Sequence, residues 1–326
     1  MIKIYQRLTV LIMLVLAISG AVIYFTVDIN TLSHLNAFKP WSILAALFLL
    51  AIGLALDGTR LMHLVRISDE RISFYEAIQV VFGNYFLALL TPGAAGGAVA
   101  QLMFLRRAGV PTGKATVLVI VRTLLSIVFL LLCMPIIFLF DQDLLPWISK
   151  KTMVLSSLIV AVVIIFAIWL SRTNLLSYLL VKLTRRFKYQ RRRNIFSAYR
   201  DFQDAAFLLL KAPLCIFRVF IESALSLLAL YSVVPILFIG MGIDINWHYV
   251  LGRMMLLNIL LYFAPTPGGS GIAEGGFIML FNDFLPSGTV GIAAVAWRII
   301  VEYIPFIIGL YYTVKVFGRD FISKQL

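Results

Sequence analysis

Charge is scarce in this chain. Asp, Glu, Lys and Arg make up 13% of its 326 residues, about half of the roughly 25% usual in a soluble domain. Hydrophobic residues make up 62%. That balance excludes an ordinary soluble enzyme and predicts an all-α, polytopic membrane protein. Cysteine is limited to Cys133 and Cys215, both inside apolar runs, so neither a disulfide framework nor a thiolate metal site is expected. His34, His63 and His248 are scattered and form no ligand cluster. No GxxxxGK[ST] sequence occurs, which excludes a P-loop ATPase. A Ser-His-Asp set, a paired carboxylate and a metal-ligand set are also missing, so the expectation is no cofactor, no metal and no catalysis. The net charge of +13 lies in short loops beside apolar runs. It reads as a topology signal and a lipid-headgroup contact, with no nucleic-acid partner.

What the chain does have is a motif used twice. Residues 91–96 read TPGAAG and residues 266–271 read TPGGSG, each between apolar stretches. Arginines follow inside apolar runs, Arg122 and Arg298, 31 and 32 residues after the respective threonines. Thr91-Pro92 and Thr266-Pro267 mark breaks in helical structure, and lipid cannot satisfy the freed backbone groups. Such breaks survive at membrane depth only where protein buries them or a polar cavity receives them. A matched pair of interrupted segments in two halves of a chain points to a transport site.

The apolar runs predict a first span at 8–27 and a repeat at 41–140 whose hairpin occupies 74–105. A linking span at 153–172 and a basic loop at 182–210 follow, then a second repeat at 213–314 with its hairpin at 249–284. The arms of each hairpin are short for a full crossing, which takes about 20 apolar residues. The expected architecture is therefore six full spans and two opposed re-entrant hairpins in an inverted repeat. The basic segments are the N-terminus, 66–71, 106–114, 182–200 and the C-terminus; they place both termini in the cytoplasm. The loops at Asp28, Asp141, Asp244 and Asp283 then lie outside. In the basic loop Ile195, Phe196, Tyr199, Phe202, Ala206 and Leu209 recur near helical spacing, which predicts an interfacial amphipathic helix.

Few residues can do chemistry. The second arm of each hairpin begins at a glycine-rich break, so its first N–H groups are expected to face an anion such as a phosphate. Gly93, Gly96, Gly97, Gly268, Gly269 and Gly271 would let a headgroup approach the backbone; the alternative is close helix packing. Arg298 has Glu302 one turn on, and Arg218 has Glu222, so each pair can neutralise itself. Arg122 has only Thr123 and Ser126 nearby in sequence, which makes it the candidate for an uncompensated phosphate contact. Asp57 and Arg60, three apart, are expected to pair. Glu274 follows the second break, with Gln101 in the corresponding region of the first. Glu274 can carry a proton, meet an amine or cap the half-helix. Asn84 and Asn258 precede the breaks and are candidates to satisfy freed backbone groups.

The phrases LTPGAAGGAVAQLMFLRRAGV and APTPGGSGIAEGGF, each with its downstream arginine, resemble the flippase-like family, the transmembrane region of lysylphosphatidylglycerol synthases, over roughly residues 43–317. The resemblance implies a bacterial or archaeal cytoplasmic-membrane protein that handles anionic phospholipids or polyprenyl-linked lipids. In full-length synthases this region precedes a soluble aminoacyltransferase domain. Only about a dozen residues follow the last span here, so this chain is not expected to aminoacylate lipid. The alternative to a flippase is a non-catalytic membrane partner that docks a separate synthase or glycosyltransferase through the basic loop.

Overall fold

The computed structural model describes residues 38–141, 212–286 and 288–323, with isolated positions between 149 and 207. The expected first span, linking span and amphipathic helix of the basic loop lie outside the described residues, those isolated positions apart. The described elements are helical: α1 (Pro40–Ile67), α2 (Phe74–Leu90), α3 (Ala95–Arg107), α4 (Thr112–Phe140), α5 (Pro213–Tyr231), α6 (Val233–Gly240), α7 (Trp247–Tyr262), α8 (Ile272–Phe281), α9 (Val290–Arg298) and α10 (Ile304–Ser323). Among the described residues, four helical stretches are long and apolar enough to cross a membrane: Pro40–Ile67, Thr112–Phe140, Pro213–Gly240 and Val290–Phe317. They coincide with the four spans expected in those regions.

Local chemistry explains the boundaries. Ser73 caps α2 through a reciprocal box, accepting from the Glu76 N–H while the Glu76 carboxylate accepts from its own. Proline opens α1 and α5, where a missing N–H costs nothing. Within the spans, Pro135 is accommodated inside the continuous α4, but two other prolines mark irregular winding. Pro235 lies just past the junction of α5 and α6. Pro305 follows a π-helical turn, Ile299–Tyr303, that joins α9 to α10. In both places proline removes an i→i−4 bond and the helix departs from regular winding.

The arms of the hairpins are shorter than the four long apolar stretches. At 1.5 Å per residue, α2 is about 26 Å long and α8 about 15 Å, against a hydrocarbon core of about 30 Å. The α2–α3 hairpin has its base at the end of the bundle carrying Arg66 and Arg106. There Leu64, Ala77, Leu105, Ala115 and Val219 share one hydrophobic cluster. The α7–α8 hairpin has its base at the other end, where His248 packs edge-on against Phe140. Packing is symmetric under exchange of the halves: α2 lies against α10 as α7 lies against α4, and α1 packs along α5. A second cluster, with Leu50, Leu237, Phe238, Met254, Phe277 and Phe281, fills that end. The seam between the clusters falls on α1 between Leu54 and Leu61, and on α4 between Leu125 and Phe129. The buried polar residues Asp57, Arg60 and Ser126 sit at that seam.

Candidate functional site where the hairpin tips meet

The two TPGxxG breaks touch. Pro92 and Pro267, 175 residues apart, form an isolated antiparallel bridge, and the Gly93 N–H donates to the Ala264 carbonyl at 2.9 Å. Glycine is required at this contact. Gly268 has φ +57°, and a Cβ there would lie 2.9 Å from the Leu89 carbonyl oxygen, so a side chain would push the tips apart. Gly97 holds the arms of the first hairpin together: a Cβ would strike the Asn84 carboxamide, which accepts from Gln101 Nε2 at 2.8 Å.

Several N–H groups of the breaks, which the sequence suggested as donors to an anion, are bonded within the protein. In the first copy Thr91 Oγ1 accepts from the Gly96 N–H at 2.7 Å and the Gly97 N–H reaches the Ala94 carbonyl. In the second, the Gly269 and Ser270 N–H groups donate to the Thr266 and Pro267 carbonyls. The Gly271 N–H donates to Glu274 Oε2 at 2.8 Å. The asparagines do not serve the breaks either: Asn84 holds Gln101, and Asn258 donates to Met254 O within its own helix. Charged side chains surround the tips.

Those side chains form two buried ionic clusters. In the first, Asp57 lies between two arginines. Arg60 Nε donates to its Oδ1 at 2.5 Å, Arg122 Nη2 donates to Oδ2, and Arg60 Nη1 reaches Ser126 Oγ at 3.1 Å. Arg122 is thus not uncompensated, as its sequence neighbours suggested; its counter-ion is 65 residues away on α1. One carboxylate nonetheless serves two guanidiniums, and Arg122 Nε has no partner. In the second cluster Arg298 Nε donates to Glu274 Oε1 at 3.1 Å, and Nη1 donates to Glu302 and to the Gly268 carbonyl. Glu274 therefore caps the half-helix and holds the arginine at once.

A cavity of about 400 Å³ opens where these groups meet, lined by Arg60, Arg122, Gln101, Tyr231 and Glu302 among others and by the Gly93 and Gly268 tips. Among the described residues, five buried side-chain atoms lack a hydrogen-bond partner: Gln101 Oε1, Arg122 Nε, Tyr231 OH, Thr266 Oγ1 and Arg298 Nη2. Gln101, Arg122 and Tyr231 line the cavity, Thr266 opens the second break, and Arg298, on α9, bonds the Gly268 carbonyl of that break. Buried polar groups are normally satisfied, so three residues that each carry an unsatisfied atom mark this cavity wall as unusual. Among the described residues no group of three His, Cys, Asp or Glu could hold a metal.

Sequence reasoning missed two further pairings. Arg253 on α7 is buried and holds Asp141 with bonds of 2.7 and 3.1 Å, and the Leu280 carbonyl at 2.6 Å; it ties the base of the second hairpin to the end of α4. His63 Nδ1 lies 2.8 Å from Glu222 Oε2, across the α1–α5 contact, and Arg218 does reach Glu222 as its spacing suggested. A charged residue inside an apolar arm was the available signal for Arg253; its partner was not visible locally.

Apolar spans and two short hairpins meeting tip to tip define a helical membrane protein with an internal polar cavity. The chain belongs to the family of the lysylphosphatidylglycerol synthase transmembrane region, whose family model matches residues 12–309. It is similar to a UPF0104 membrane protein of Archaeoglobus fulgidus, 23% identical over 88% of this chain and 90% of that one. It is also similar to the inner membrane protein YbhN of Escherichia coli, 29% identical over 76 residues, 23% of this chain and 24% of that one.

Proposed function

We propose that the chain moves a lipid with an anionic phosphate headgroup, a phospholipid or a polyprenyl-linked lipid, across the cytoplasmic membrane, with both termini in the cytoplasm. The headgroup would pass through the cavity between the hairpin tips while its tails stay in the bilayer. The observation that carries this reading is the first ionic cluster: Arg60 and Arg122 share one carboxylate, so the cluster is net cationic, and Arg122 Nε has no partner. A buried cation in a membrane protein characteristically faces a partner or a substrate path. No P-loop occurs in the sequence, and movement would be passive or ion-coupled. The same reading makes this chain a transporter and not a transferase.

The test is headgroup accessibility in proteoliposomes, with labelled phosphatidylglycerol, its lysyl form, phosphatidylethanolamine and an undecaprenyl phosphate compared for wild type and Arg122→Gln. Removing Arg122 leaves Asp57 paired with Arg60, so the variant is expected to keep its thermal midpoint. Its translocation should fall at least tenfold. Folded wild-type protein that moves none of these lipids would overturn the proposal and favour a docking role for the basic loop.

A further inference from the structure

We infer that the headgroup carries an amine beside its phosphate: the site is built for a zwitterionic phospholipid of the ethanolamine type, with Glu302 as the amine acceptor. This rests on the translocation reading and narrows it. The two ionic clusters have opposite charge. Asp57 with Arg60 and Arg122 carries one net positive charge; Arg298 with Glu274 and Glu302 carries one net negative charge. The first comes from α1 and α4, the second from α8, the end of α9 and the π-helical turn, and both reach the same cavity. A headgroup bearing phosphate alone would gain from Arg122 and be repelled by Glu302. At membrane depth, where screening by water is weak, that repulsion is costly. A headgroup with both charges would satisfy both walls.

Within the second cluster Glu302 is the accessible member. Its side chain is 17% exposed, against 2% for Arg298 and 3% for Glu274. Glu274 spends one oxygen on the Gly271 N–H and the other on Arg298, whereas Glu302 alone of the three lines the cavity. It stands on a π-helical turn, a winding often found at functional sites.

The experiment compares phosphatidylethanolamine, phosphatidylcholine and phosphatidylglycerol on wild type, Glu302→Gln and Glu302→Asp. Two readouts are taken: lipid retention by native mass spectrometry of detergent-purified protein, and translocation in proteoliposomes. Glu302→Gln leaves Arg298 balanced by Glu274 and is expected to fold. Wild type should retain and move the ethanolamine lipid about tenfold better than the glycerol lipid. It should also prefer it to the choline lipid, whose ammonium has no N–H to donate. Glu302→Gln should erase the preference over the glycerol lipid and Glu302→Asp should keep most of it. Equal or better retention of phosphatidylglycerol by wild type, or a preference unchanged in Glu302→Gln, would overturn the inference. Retention reads the amine site even where no lipid moves; loss of translocation alone would count against transport and leave the binding preference standing.

Discussion

At the scale of single residues, what decides this protein is which carboxylate answers which arginine. Asp57 is buried and contacts both Arg60 and Arg122, so its removal and that of Arg122 have opposite expected consequences. Asp57→Asn leaves two guanidiniums in a buried site without a counter-charge, a change that costs about 3–5 kcal/mol. It should lower the thermal midpoint in detergent sharply, and adding Arg60→Gln should recover much of the loss. Arg122→Gln should leave the midpoint nearly unchanged. Equal destabilisation by Asp57→Asn and Arg122→Gln would contradict the shared-carboxylate arrangement. Thr91 acts on a smaller scale: its hydroxyl caps the Gly96 N–H, and Thr91→Ala should cost about 1 kcal/mol, read from the same melting curves.

Among the elements, the hairpins are the units whose geometry the motif dictates. The first arm of each is a regular helix, and the break returns the chain on itself with several of its N–H groups already hydrogen-bonded. Small residues then let the arms close. Gly97→Ala places a methyl group against Asn84 and should break the Asn84–Gln101 bond. Overpacking of this kind costs about 1–3 kcal/mol. The expected result is a lower midpoint with restored stability in Gly97→Ala/Asn84→Ala, whose shortened side chain makes room. The motif itself was legible in the sequence because proline and glycine act locally. The bonds within it were not: Thr91 and Glu274 perform the same capping task from different positions, and only the fold reveals that Asn84 and Asn258 stand apart from it.

Across the whole molecule, the halves are joined tip to tip. Bridge-paired residues have Cα atoms about 5 Å apart, within disulfide range. Pro92→Cys/Pro267→Cys, with Cys133 and Cys215 replaced by Ser, should therefore cross-link under mild oxidation. Cleavage in the segment between the halves would then leave one band on a non-reducing gel and two after reduction. Two bands without reduction would mean the tips do not meet. Four spans, two breaks and the two downstream arginines could be read from the chain, because a 20-residue apolar run and a Pro-Gly interruption declare themselves within one segment. The pairing of Arg122 with Asp57, of Arg253 with Asp141 and of His63 with Glu222 joins residues 65, 112 and 159 positions apart. Ion partners inside a membrane are selected by proximity in three dimensions, where an unpaired charge is costly, and no local pattern encodes that. The sequence by itself determined the membrane class, four of the spans and the places where helices break. The tertiary structure alone decided that the two breaks face each other and that a cationic and an anionic cluster share the cavity between them.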